Sequence, residues 1–208
     1  MSPSHTGAIL LKCAGPLAAP DEEWLRTLRK LALSCVPLAE SVAMHAAVEG
    51  NESRIYLFSH EPGAVTPAVL VRVAERACGE PVFRDLQISA ARLQPVFDAA
   101  GASREETPYF HYVVETDVVA EHEADLNAWY DSEHMPGLAA CPGSVRARRF
   151  RNPDGSPRYH SCYDLARTET LVSEPWLAVR NTAWSDRVRP HFRNTKRTMF
   201  RRLFESQI

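Results

Sequence analysis

The feature that most constrains this chain is a repeat of element order rather than of residues. Thr6 to Lys12 reads as a buried strand, and Pro20-Asp21 opens a helix carrying Trp24, Leu25, Leu28 and Leu31 at helical spacing. Residues 39–50 alternate Val42, Met44, Ala46 and Val48 before the turn Glu49-Gly50-Asn51, and residues 53–60 form the returning strand. Thr66-Pro67 caps a second helix over 66–78, with Leu70, Val71, Val73 and Ala74 to one side, and 82–93 is the last strand. The order is βαββαβ. The second half runs the same way: a strand at 109–118, a helix at 121–134 and a strand at 143–152. The turn Asn152–Gly155, a strand at 157–166, helical turns over 169–184 broken at Glu174-Pro175, and a strand at 193–204 complete it. Val42 and Val145 lie 103 positions apart, and Arg54 and Arg158 lie 104 apart.

This spacing predicts an α+β chain made of two tandem ferredoxin-like βαββαβ units, residues 1–98 and 108–208. The small, polar segment 98–107 would join them. One such sheet covers a single face with its helices. Two bare faces packed together close a pseudo-dimeric α+β barrel, whose central cavity is the natural ligand site. One chain would then build what shorter relatives build as dimers, and a homodimer of the whole chain also stays open.

Composition removes several function classes. A net charge of -2 over 208 residues gives no field for nucleic acid or anionic lipid. The longest apolar runs, such as Ala8 to Leu11, are far too short to span a bilayer, and the N-terminus shows no leader. The five cysteines are scattered, odd in number and free of metal-ligand spacing, which predicts reduced, mostly buried thiols in a cytoplasmic protein. No HExxH, GxGxxG, P-loop or GxSxG motif is present, so neither a metal nor a cofactor is expected.

Residues 124–150 and 157–165 carry something more specific. Trp129-Tyr130, Glu133-His134, Pro136, the turn Cys141-Pro142-Gly143 and Arg149-Phe150 together resemble the EthD-like branch of the dimeric α+β barrel superfamily. The resemblance covers roughly residues 109–204; the first half matches only in element order. It implies a small-molecule cavity near His134. The superfamily holds polyketide cyclases, muconolactone-type isomerases, cofactor-free monooxygenases and haem enzymes.

The candidate site follows from faces. Leu126, Trp129, Tyr130, Glu133 and His134 share one face of a helix that Pro136 is expected to end. His134 is either a core histidine bonded to a nearby carbonyl or an acid–base group titrating near neutrality. Asp131 points outward on this spacing, and Glu133 is placed to orient the imidazole. On strand 109–118, His111, Val113 and Glu115 face one way, as expected of a lined cavity. Arg146 and Arg148 read as a solvated pair, while Arg149 turns inward to hold an anion. Tyr159, Ser161 and Tyr163 alternate as hydroxyl donors. The arginines and lysine between Arg187 and Arg202 form a basic cluster without a stacking platform for RNA. The expected chemistry is cofactor-free proton transfer on a small carbonyl, phenolic or lactone compound, giving isomerisation, cyclisation or elimination. His134, Tyr130, His111 and Arg149 would be catalytic; Trp129, Glu115, Tyr163 and Trp184 would bind substrate. A cofactor-independent monooxygenase and a non-catalytic binding protein are the alternatives.

Overall fold

The structure, a computed structural model, describes residues 6–15 and 20–208; the start of the stretch read for a leader lies outside them. The elements are β1 (Gly7–Ala14), α1 (Glu22–Cys35), β2 (Ala39–Ala47), β3 (Glu52–Ser59), α2 (Pro67–Gly79), β4 (Gln87–Ala100), β5 (Phe110–Val118), α3 (Glu123–Trp129) and α4 (Met135–Ala139). They continue as β6 (Ser144–Arg151), β7 (Tyr159–Leu165), α5 (Glu174–Arg180), α6 (Ala183–Val188) and β8 (Phe192–Gln207). The strands hydrogen-bond in the order β1-β3-β2-β8-β5-β7-β6-β4. No helix among the described residues is long and apolar enough to cross a membrane.

Two compact units emerge. The N-terminal unit comprises the described residues of Ser4–Pro95 with Asn152–Asp154 and Phe200–Ile208; the C-terminal unit comprises Val96–Arg151 and Gly155–Met199. In the N-terminal unit, β3 pairs with both β1 and β2, β1 with the start of β4, and β2 with the end of β8. Asp21 caps α1 by accepting from the Glu23 and Trp24 amides, and Thr66 caps α2 by accepting from Val69. The buried stripe of α2 is Val69, Val73 and Ala77, one position around from the expected side, and Val71 is exposed. These residues join Trp24, Leu28, Leu31, Ile9, Leu11, Val42, Met44, Ile55 and Leu57 in one hydrophobic cluster.

β4 departs from expectation at both ends. Its first predicted residues instead form a short turn, Pro81–Phe83, after α2, and the strand runs on to Ala100. The expected linker is therefore partly ordered structure. Asp98 accepts two hydrogen bonds from Arg146, at 2.9 and 2.6 Å, and the Gly101 amide donates to the Val145 carbonyl at 2.8 Å.

In the C-terminal unit β7 is central, paired with β5 and β6, and its seven residues are all buried. One face of this sheet packs on the helices: Leu126, Trp129, Tyr130, Met135 and Leu138 meet Ala147, Tyr159, Tyr163 and Leu165. Gly143 sits at φ +88 in the Cys141-Pro142-Gly143 turn, and a Cβ there would lie 2.1 Å from the Thr170 hydroxyl oxygen. That is the physical reason for glycine at this turn.

Pro136 does not end the helix. After α3 the chain makes one π-helical turn, Tyr130–His134, in which the Met135 amide donates to the Tyr130 carbonyl, and α4 follows directly. Met135 stays helical, at φ -67 and ψ -46, despite preceding a proline. A proline has no amide to place and its ring crowds the preceding turn, so one wider turn absorbs it. None of the five cysteines is in a disulfide; Cys78 is exposed and the other four are buried.

Candidate active site

The C-terminal unit holds a small cleft of about 30 Å³ between its sheet and its helices. Trp129, Tyr130, His134 and Leu138 line it from α3, the π turn and α4; Tyr112, Val114 and Tyr163 line it from β5 and β7. Trp176, Arg180, Arg189, Phe192 and Arg197 complete it from α5, the segment after α6, and β8. No carboxylate is among these residues. Such a volume holds roughly two water molecules, so a larger ligand requires side chains at the mouth to move.

The wide π turn delivers His134. Its ring stacks on Trp129, with centroids 4.1 Å apart and planes at 23°, and meets Tyr130 edge-on at 5.4 Å. The expected partner, Glu133, is engaged elsewhere: it accepts from the Trp129 indole at 3.1 Å and the Thr182 hydroxyl at 2.5 Å. The Nδ1 atom of His134 is buried with no hydrogen-bond partner. Burial, aided by the positive charges of Arg189, Arg180 and Arg149, lowers its pKa to about 3. The ring is therefore neutral near pH 7, not poised there as its ordinary pKa suggests.

That shift has a consequence for stability. An unfolded histidine takes a proton near pH 6.5, whereas folded His134 refuses it until about pH 3. The unfolded chain binds the extra proton between these values, so stability falls as pH drops through the window and is unaffected above it. We expect urea midpoints to report about 2 kcal/mol more loss between pH 7 and pH 5 for the parent than for His134→Gln. Equal losses would remove the desolvated, neutral ring from the account.

Two further polar groups at the cleft lack strong partners. The Trp176 indole Nε1 is buried and unbonded, and the Tyr163 hydroxyl donates only to the Met135 sulfur, at 3.0 Å. A thioether is a weak acceptor. Burial, with Tyr130 and Tyr112 nearby, holds the Tyr163 phenol well above its usual range, so it stays a donor.

The other expected site residues fall elsewhere. Arg149 is buried but does not line the cleft. Its guanidinium lies 4.3 Å from the ring centres of both Tyr130 and Tyr159, and donates to Asn127 at 2.7 Å and Asp131 at 3.5 Å. It braces the helix against the sheet. Trp184 donates to Asp125 at 2.9 Å and is absent from the lining; Trp176 takes the wall position assigned to it. His111 and Glu115 lie on the opposite face of β5 from Tyr112 and Val114, as alternation requires. There His111 Nδ1 donates to Asp164 at 2.7 Å, Arg148 donates to the same carboxylate at 3.0 Å, and His160 lies 3.5 Å from Glu115. Arg148 is thus buried in a polar network, not solvated beside Arg146.

Sequence reasoning missed Trp176 and Arg180, and met Arg189 and Arg197 only as members of a surface cluster. One signal was available in β8: an asparagine, which tolerates the left-handed region, stands inside the strand. Asn194 has φ +51, and Phe192 before it and Arg197 after it both reach the cleft. The Thr116 hydroxyl binds the Arg193 carbonyl and the Thr195 hydroxyl around that kink.

No protein-family profile matches the chain, and no curated protein sequence does. Solved structures do. A candidate monooxygenase from Lactobacillus acidophilus NCFM superposes with a TM-score of 0.64 at 12% identity, covering 97% of this chain and 96% of that one. An anthrone oxidase-like protein gives 0.62 at 13% identity, with 99% and 94% covered. A heme-binding protein from Thermus thermophilus gives 0.58 at 12% identity, with 96% and 93% covered. Likeness at this identity establishes a shared fold.

Proposed function

We propose that the chain is an enzyme of EthD-like kind, two ferredoxin-like halves in tandem (1–98 and 108–208), that moves a proton on a small planar carbonyl, phenolic or lactone compound. The observation that carries this reading is His134: a neutral, buried imidazole with an unbonded nitrogen at a cleft free of carboxylates.

In this mechanism the substrate lies against Trp129, Trp176 and Phe192. His134 Nδ1 takes a proton from an acidified carbon or hydroxyl. Tyr163 exchanges its weak bond to sulfur for one to the oxygen that gathers charge, and the arginine field stabilises the anion. The same negative charge offsets the repulsion that depresses His134, so its basicity rises as the proton arrives. Returning the proton to a different atom isomerises the substrate, closes a ring or expels a group. Tyr130 packs the imidazole and contacts the substrate edge. His111 and Glu115, on the far face of β5, take no part. A cytoplasmic home belongs to the same proposal.

The oxygenase alternative shares the first step, since a carbanion formed here can meet dioxygen; the fold neighbours described as monooxygenase and anthrone oxidase-like favour it. The heme-binding neighbour suggests a different group. The residues do not fit it: ligand sites typically run to about 300–1,000 Å³, against about 30 Å³ in this cleft. Admitting a macrocycle would displace Trp129, Trp176 and Tyr163 from the buried cluster, whereas Arg180, Arg189 and Arg197 are at least partly exposed.

The test is incubation in deuterated buffer with a panel of compounds bearing acidic C–H bonds, read by mass spectrometry beside an oxygen electrode. Deuterium uptake without oxygen consumption is expected. Oxygen consumption selects the oxygenase, and tight binding with neither change selects a carrier.

A further inference from the structure

Arg180 ends α5, Arg189 follows α6 and Arg197 lies on β8, so three separate elements bring guanidinium groups to one cleft. Other arginines of the same unit pair with carboxylates: Arg146 with Asp98, Arg158 with Glu123, Arg187 with Asp125. Among the described residues no ion pair or hydrogen bond engages these three, although Asp186 lies within electrostatic reach of Arg189. Like charges held together are costly: burial, and then the neighbouring Arg180 and Arg197, lower the pKa of Arg189 against the opposing charge of Asp186. Beside them sit two buried, unbonded nitrogens, His134 Nδ1 and Trp176 Nε1. A cluster of cations, orphaned polar atoms and no anion describes a site built for a ligand that brings the negative charge.

We propose that Arg180, Arg189 and Arg197 recognise a carboxylate on the substrate, so that the substrate class is a conjugated or aryl carboxylic acid. The inference rests on the reading of this cleft as the substrate site. Guanidinium forks match a planar carboxylate through two parallel hydrogen bonds. The walls are flat, formed by Trp129, Trp176 and Tyr112, and suit a planar group conjugated to the carboxylate better than a tetrahedral phosphate. The partly exposed arginines hold the charged head at the mouth, and the apolar part enters toward His134. Binding also neutralises the field that the arginines impose on the imidazole, so recognition of the head group prepares the base.

The test is calorimetry on the full-length chain with benzoate, its neutral isostere benzamide, and inorganic phosphate as probes, at low ionic strength. Benzoate is expected to bind in the low-millimolar range or tighter, about tenfold or more ahead of benzamide and phosphate. Arg189→Gln should weaken benzoate by about 10–100-fold; the exposed Arg197→Gln, whose folding is secure, should weaken it by at least a few-fold and supplies the test if the first variant does not fold. Benzamide or phosphate equal to benzoate, no benzoate binding, or unchanged affinity in the folded arginine variants would each overturn the assignment. Benzoate undergoes no turnover, so a failure of proton transfer by His134 leaves this result untouched.

Discussion

His134→Gln is expected to lower turnover by about 10²–10⁴-fold, the usual contribution of a positioned acid–base group. Glutamine approximates the volume and keeps a hydrogen-bonding end, but it cannot carry a proton near neutral pH. The imidazole contributes stacking on Trp129 and edge contact with Tyr130, and it has no Nδ1 hydrogen bond to lose. Stability at pH 7 should therefore change little. Substrate affinity should also move less than turnover, because the arginines and aromatic walls remain. A fully active variant would remove His134 from the chemistry. A variant that unfolds would make the ring a structural element, and the catalytic assignment would fall with it.

The second large effect is on stability. Gly101→Ala should cost about 3 kcal/mol or more, read as a lowered thermal midpoint with far-UV signal retained at low temperature. A Cβ at Gly101 would lie 2.0 Å from the Ser144 carbonyl oxygen and 2.4 Å from its carbon. Both are main-chain atoms of β6, so no side-chain rotation relieves the overlap. The Gly101 amide is fixed by its bond to the Val145 carbonyl, and the Ser103 amide donates to the Ser144 carbonyl at 2.8 Å. The clash must therefore move strand β6 itself. A substitution that leaves the midpoint unchanged would contradict the close pairing of this segment.

Much of the fold was legible because it is written in local patterns. Thr66 caps α2 as read, and Asp21, read as opening α1, accepts from the first amides of that helix. Alternation in β5 separated His111 and Glu115 from Tyr112 and Val114, and the structure keeps that division. What alternation could not say is which face carries the cleft. A buried His and Glu suggested a ligand; instead each found a partner on a neighbouring strand, Asp164 and His160, which only pairing register reveals. Pro136 misled for a related reason. Its local preference is to end a helix, but burial of Met135 and Leu138 on the far side favours continuing through one widened turn. The cleft's cations were hidden because Arg180, Arg189 and Arg197 sit on three elements that only tertiary packing brings together. The choice between Trp176 and Trp184 was equally invisible, since the short helices α5 and α6 carry too few residues to define a face.

The central claim is that His134 is a neutral, desolvated imidazole awaiting a proton from an anionic ligand's side of the cleft. The most direct measurement is an NMR pH titration of the His134 ring nitrogens, assigned by difference from His134→Gln. The account requires a neutral ring from pH 7 down to at least about pH 4 or to acid unfolding, whichever comes first, given a pKa of about 3. Protonation with a midpoint near 6.5, the value of a solvated histidine, would contradict it.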